Sequence, residues 1–269
     1  MTLAAANVSQ TSSDTERHPT RWSLQATWAD SEADMRAAQA LRFNVFAAEL
    51  GAQLPAAAVA SGLDADRFDP YCDHLLVRAV DPFGEQPPKL VGTYRVLPPD
   101  AARLLGGLYA EQEFDLSPLD SLRPRMVELG RACVHADWRS GGAILMLWSA
   151  LGRYMIRRQL DTMTGCASIG LADGGQFAAA VWHSLESNHL AVPRWRVTPH
   201  TPLALCALDP EAVPLSIRAL PPLIKGYLRG GACVLGAPAY DPYFRTADFP
   251  IMMQLADLTP RYRAQFLLP

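Results

Sequence analysis

Four groups of charged residues interrupt stretches of this sequence that otherwise read as core. Arg42 stands in Leu41-Arg-Phe-Asn-Val-Phe46, on the apolar face of a helical pattern, where a buried charge needs a partner unless its long stem snorkels to water. Asp64-Ala-Asp66-Arg-Phe-Asp69 packs three carboxylates into one short segment before a strand. Arg95 lies in Val91-Gly-Thr-Tyr-Arg-Val96, and Glu128-Leu-Gly-Arg131 lies inside the run Met126 to Val134. A carboxylate in apolar surroundings can hold an ammonium group or take its proton. A guanidinium grips a carboxylate through two parallel hydrogen bonds. Each group also has a bland account: a solvated loop for the aspartates, a structural pair for Glu128 and Arg131. In a regular strand those two would face opposite sides. Gly130 between them permits a bulge that re-aims one side chain. Such a bulge would splay the strand from its neighbour and leave a slot for an extended thioester arm.

The elements that must position these residues follow from periodicity. Strands are predicted over Trp22 to Thr27, Cys72 to Val80, Lys89 to Leu97, Met126 to Val134, Thr162 to Ile169, Ala232 to Leu235 and Phe249 to Leu255. Helices are predicted over Asp30 to Leu50 with Ser31 as cap, from Gly142 to about Gln159, over Gln176 to His189, over Leu223 to Leu228 and near Pro260 to Leu267. Gly51 to Gly62 reads as a small-residue loop, and Pro193 to Pro202 alternates Arg, Trp and Val. The order implies an α/β fold with a mixed sheet rather than regular βαβ winding.

Composition narrows the function class. The 269 residues are 49% hydrophobic and 19% charged, with a net charge of −3, so the chain has no global nucleic-acid footprint. No run is long and apolar enough to span a membrane. Residues 1–20 read as a disordered tail without the pattern of a secretory signal, and residues 21–269 as one domain in the cytoplasm. Cys72, Cys133, Cys166, Cys206 and Cys233 form no C-x-x-C pair, which argues for reduced thiols and against a metal site.

The succession Arg42 with Val45-Phe46, Asp66 and Asp69, Arg95, then Glu128 and Arg131 resembles the pattern of acyl-homoserine-lactone synthases. A longer set continues through His135-Ala-Asp137-Trp-Arg139-Ser-Gly141, Pro221-Pro-Leu-Ile-Lys225-Gly-Tyr227, Gly236-Ala-Pro-Ala-Tyr-Asp241-Pro-Tyr-Phe244 and Asp248-Phe249. That set is similar to the ornithine–acyl-ACP N-acyltransferases of ornithine-lipid synthesis. The resemblance implies a GNAT fold, the acyl-CoA N-acyltransferase fold, with a mostly antiparallel sheet flanked by helices and a C-terminal extension from about residue 190. It implies a 3-hydroxyacyl group on acyl carrier protein (ACP) as donor and L-ornithine as acceptor, with no cofactor beyond the phosphopantetheine thioester. Acetyl-CoA-using relatives carry R/Q-x-x-G-x-G/A, whose amides hold pyrophosphate. Here Arg139-Ser-Gly141-Gly142-Ala-Ile144 puts Ile144 at the last small position, which favours ACP over CoA.

Amide formation needs a neutral amine, a base and donors for the oxyanion. Glu128 is the first candidate base; Asp66 and Asp69 are second, or clamp the ornithine side chain. Arg95 and Arg131 are candidates for binding the substrate carboxylate, Arg42 for closing over the substrate as part of the same ion network, and His135 is a further candidate base at the substrate. Arg139, Gly141 and Gly142 are candidates at the phosphopantetheine. Arg153 and Arg157, four apart on one helix face, are candidates for docking acidic ACP. A lipid product also implies peripheral contact with the inner membrane. Rival readings are a lactone synthase, another long-chain N-acyl amino acid synthase and a non-catalytic acyl-binding module.

Overall fold

The computed structural model describes residues 22–139, 142–205 and 220–266. The expected N-terminal tail, Gly141 and Cys206 lie outside the described residues. The strands are β1 (Ser23–Trp28), β2 (Asp73–Val80), β3 (Lys89–Leu97), β4 (Phe114–Asp115), β5 (Met126–Val134), β6 (Thr162–Gly170), β7 (Thr198–Pro199), β8 (Cys233–Val234), β9 (Ala239–Asp241) and β10 (Thr246–Gln254). The helices are α1 (Glu32–Phe43), α2 (Ala56–Ser61), α3 (Pro99–Leu105), α4 (Gly142–Arg157), α5 (Gln176–Asn188), α6 (Pro222–Gly230) and α7 (Pro260–Phe266).

One sheet runs in the order β1-β2-β3-β5-β6-β10-β8, with β9 added on β10; β4 and β7 pair separately. All its pairings are antiparallel except β5 with β6. The mixed, mostly antiparallel sheet expected from the sequence is therefore present. The region from about residue 190 is less an extension than a contributor, since β10 lies inside the sheet between β6 and β8.

Three packing layers hold the sheet. Helix α4 lays Leu147, Leu151 and Met155 against Leu75, Val77 and Val96 on one face. On the other face Leu97 and Met126 pack with Phe68 and Phe114. Helices α5 and α6 cover β6 and β10 through Val181, Leu185, Ile224 and Phe249. Ser31 caps α1 as expected, accepting from the Asp34 amide at 3.2 Å. The helix predicted to Leu50 widens after Phe43 into a π-helical turn, Asn44–Glu49. The loop predicted over Gly51 to Gly62 contains α2, whose alanines need few contacts to be helical.

Strands β5 and β6 pair for three residues only, Met126 to Glu128 against Thr162 to Thr164. Beyond them the strands fork. A Cβ on Gly165 would collide with the Leu129 carbonyl at the vertex. Gly165→Ala is expected to force the strands apart where they should still touch, costing roughly 1–3 kcal/mol. Thermal unfolding should show a midpoint lower by several degrees.

Candidate acceptor and donor cavity at the sheet fork

The expected bulge exists, with one difference. Gly130 pairs with Arg95 and Cys133 with Thr93, so β5 carries one extra residue. The left-handed residue is Arg131, at φ 52°, and not Gly130. A non-glycine residue pays for that conformation, and Arg131 recovers the cost by reaching the aspartates: its Nε lies 3.2 Å from Asp64 Oδ2 and its Nη2 3.5 Å from Asp66 Oδ2.

Arg131 thus pairs with the aspartate segment and not with Glu128. Arg42 donates through Nε to Asp64 at 3.0 Å and through Nη1 and Nη2 to Asp69 at 3.0 and 2.8 Å. Arg95 Nη1 donates to both Asp66 oxygens at 2.7 Å and to Asp69 at 3.1 Å. Gln39 donates to Asp69 at 2.9 Å, and His74 Nε2 lies 3.0 Å from its carbonyl. The guanidiniums beside Asp69 hold its carboxyl well below the usual range despite burial. Burial pushes His74 down, toward the neutral ring. Arg42 is 1% exposed and its guanidinium is spent on this ion network, as expected from the sequence, but it does not line the cavity at the fork and so does not close over a ligand there. Asp69 is likewise consumed, which removes it as a base or ammonium clamp. Arg95 and Arg131 also line a cavity, and remain able to meet a ligand there.

That cavity, about 640 Å³, opens at the fork. It has the size of a small-molecule site. Leu129 to Ala132 form one wall, and Cys166 to Ser168 the other. Glu128 sits at the vertex, paired in register with Leu97 and Thr164. Its two oxygens accept the backbone N–H groups of Tyr109 and Ala110 at 2.6 and 2.7 Å. Burial raises its pKa to about 7 against the opposing pull of these amides and of Arg95. A carboxyl raised toward neutrality is suited to take a proton as a general base.

A second group of carboxyls lies across the cavity. Asp241 and Asp248 line it and are 7% and 5% exposed. Asp241 Oδ1 accepts from the Tyr243 and Phe244 amides at 2.7 and 3.1 Å, and Asp248 Oδ1 from Thr246 Oγ1 at 2.7 Å. Glu113 stands behind them, with Cys166 Sγ 3.8 Å from its Oε2. Burial raises Glu113, helped by repulsion from Asp248 and Asp241. Burial also raises Asp248, against hydrogen bonds from Thr246, Ser168 and Glu113 and with some repulsion from Asp241; burial likewise raises the Cys166 thiol. Among the described residues no cation is paired with Glu113, Asp241 or Asp248, and Arg131 reaches Glu113 only through longer-range attraction. Glu113, Cys166 and Asp248 bring one ligand atom each within 4.8 Å of one another, a group that could hold a cation once deprotonated. Asp241 and Asp248 were visible in sequence only as motif members, and Glu113 not at all.

The remaining candidates lie away from the cavity. His135 is exposed and caps the turn Ala136–Trp138, its Nδ1 accepting from the Asp137 amide at 3.3 Å. Arg139 forms a two-contact ion pair with Glu49, with Nη2 at 2.7 Å. Gly142 opens α4 beside Leu24. Arg153 and Arg157 are both exposed on α4, while their neighbour Arg158 is tied to Tyr154 and Asp73. The four described cysteines are free thiols. No helix among the described residues is long and apolar enough to cross a membrane.

Residues 41–149 match the model of a GNAT acetyltransferase domain. With the forked sheet, this defines the chain as a GNAT-fold acyltransferase. A protein of Brucella abortus named L-ornithine N(alpha)-acyltransferase is 36% identical over 246 residues, covering 89% of this chain and 87% of that one. A Rhodobacter capsulatus protein of the same name is 38% identical over 237 residues, covering 86% and 89%. The acyl-homoserine-lactone synthase LasI aligns with a TM-score of 0.46 at 11% identity, over 91% of this chain and 94% of that one. The chain belongs to the L-ornithine N(alpha)-acyltransferase family.

Asp69→Asn would keep the shape of the ion network and leave two buried guanidiniums short of charge. A loss of about 3–5 kcal/mol is expected in urea unfolding at pH 7. Asp34→Asn, which removes the partially exposed partner of Arg78, should cost less than about 1 kcal/mol. Because the Asp69 pKa is depressed in the fold, its contribution is present above the ordinary carboxylate range. It should fade as pH falls below about 4, bringing wild type and Asp69→Asn together.

Proposed function

We propose that the protein transfers a 3-hydroxy fatty acyl group from acyl carrier protein to the α-amine of L-ornithine. The observation that carries this reading is the mixed lining of the cavity. Glu128 stands at the vertex, and the lining combines Asp241 and Asp248, two buried carboxyls with no cation paired to them among the described residues, with the apolar Tyr94, Leu129, Leu223 and Ile224.

The amino acid enters the polar side. Its side-chain ammonium sits against Asp248 and Asp241, and its carboxylate against Arg131 or Arg95. Its α-amine then faces Glu128. The thioester arm lies along the gap between β5 and β6. The amine nitrogen attacks the thioester carbon while Glu128, directly or through a water, takes its proton. Collapse of the tetrahedral intermediate breaks the carbon–sulfur bond, and the departing phosphopantetheine thiolate takes up a proton. The products are an N-acylated amino acid and free ACP thiol.

The donor assignment draws on two features. Arg139 is engaged by Glu49, which leaves it poorly placed to hold a free pyrophosphate. Arg153 and Arg157 give α4 an exposed basic face for an acidic carrier.

The test is mass spectrometry of products from 3-hydroxypalmitoyl-ACP and a mixture of amino acids including ornithine. Acyl-ornithine should dominate. Glu128→Gln should lower its rate about 100-fold or more. With wild type, kcat/KM should rise with pH through about 7 as Glu128 loses its proton. An acylated product on another amine would replace the acceptor, and intact thioester with no product would sink the reading.

Asp248→Asn should raise the ornithine KM about tenfold or more, the scale of a charge-assisted contact, while changing kcat little. The same variant should lose discrimination against norvaline, which lacks the side-chain amine. Equal loss toward ornithine and norvaline would refute the ammonium assignment.

A further inference from the structure

Tyr94 on β3 and Tyr227 on α6 meet hydroxyl to hydroxyl on the apolar side of the fork. Both line the main cavity. Both also line two narrow recesses of about 30 and 40 Å³ behind it, which share Leu129, Met163 and Met253 as walls. The pair therefore stands where a chain leaving the thioester passes from the fork into apolar surroundings.

Two phenols carry two O–H donors, and their mutual bond uses one. Neither hydroxyl bonds any other acceptor among the described residues, so one donor is left over. Burial pushes both hydroxyls up, that of Tyr94 to about 12, so both stay protonated. The spare donor is also held in place. The Trp148 ring stacks on Tyr227 at 5.5 Å and 20°, and it occupies the space that a side chain at Gly226 would need. An apolar wall would be better served by two phenylalanines unless a ligand brings a polar group to this point.

We propose that the Tyr94–Tyr227 pair reads a hydroxyl on the first carbons of the acyl chain, and so selects hydroxylated over unsubstituted donors of equal length. The proposal rests on the reading of the cavity as an acyl-thioester site. An aliphatic hydroxyl accepts the spare O–H and donates back to the second phenol oxygen. A bare methylene leaves the donor stranded. Thioester chemistry itself does not use the pair, since Glu128 lies at the vertex and the phenols lie beyond it.

The experiment offers equal concentrations of 3-hydroxypalmitoyl-ACP and palmitoyl-ACP with ornithine to wild type, Tyr94→Phe, Tyr227→Phe and the double variant, and reads the product ratio. Wild type should favour the hydroxylated product by about tenfold, the scale of one neutral hydrogen bond. Each single phenylalanine variant keeps one phenol whose O–H is free and should lose only the bond that the acyl hydroxyl donates back. The double variant Tyr94→Phe/Tyr227→Phe should bring the ratio near one by losing the hydroxylated product alone. An unchanged ratio in the double variant, or an equal fall on both donors, overturns the proposal. Calorimetric binding of 3-hydroxypalmitoyl-pantetheine and palmitoyl-pantetheine separates it from the wider reading. Tighter binding of the first that the double variant Tyr94→Phe/Tyr227→Phe abolishes supports the pair even if no amide forms. Equal binding of the two by wild type overturns it even if acyl-ornithine is made.

Discussion

Three arginines and three aspartates buried together set the rest of this structure. Arg42 comes from α1, Arg95 from β3 and Arg131 from β5, while Asp64, Asp66 and Asp69 come from one connecting segment. Three positive charges meet three negative ones, so the group can be dry without being charged. Burying any single member alone would cost several kcal/mol. The network therefore behaves as a unit. It pins the segment before β2 beneath the sheet and ties the helix to two strands. It also gives Arg131 a reason to hold a left-handed backbone in the middle of β5.

That backbone conformation has a structural consequence. The extra residue at the bulge turns β5 away from β6 after Glu128, and the two strands share only three paired positions. A fork in a sheet exposes backbone groups that would otherwise be paired, and it is tolerated only where something else fills the gap. Here the gap becomes the cavity. Glu128 belongs to the last paired position before the fork. This explains why it is both rigidly held by two backbone amides and open to a ligand. Position and protonation come from the same source, because the burial that fixes the side chain also raises its pKa.

Much of this was legible in the sequence, for a physical reason. Charges at Arg42, Arg95, Glu128 and Arg131 stand out because each breaks an apolar run, and Asp66 and Asp69 because they crowd with Asp64 before a strand. The core strands and α4 follow from period-two and helical spacing. The partnership was not legible. Glu128 and Arg131 are close in sequence, yet Arg131 turns to aspartates more than sixty residues away. Nothing local encodes that choice. Glu113 was hidden because it sits in Ala-Glu-Gln-Glu-Phe-Asp, a charged stretch that reads as solvated. Asp248 carried the same signal as Glu128, a lone carboxylate opening an apolar run, but without a nearby arginine to draw notice. His135 shows the opposite ambiguity, since an isolated histidine after a strand reads as base or as structural residue alike, and here it caps a surface turn.

The two sets of buried acids differ in a way that separates scaffold from site. Asp64, Asp66 and Asp69 are matched by guanidiniums, and Asp69 is held ionised far below its ordinary range. Asp248 and Glu113 have no paired cation among the described residues, and their pKa values move up instead. A protein gains nothing for stability by burying unmatched carboxyls, because the folded state then holds protons that the unfolded chain would release. Their burial makes sense where a cation arrives from outside and restores the balance already present across the cavity. The same comparison of matched and unmatched groups applies on the apolar side, where two phenols supply one donor more than they can use. In both places the surplus lies on the cavity wall, and in both it has the polarity that an amino acid with a second amine, carrying a hydroxylated acyl chain, would complete.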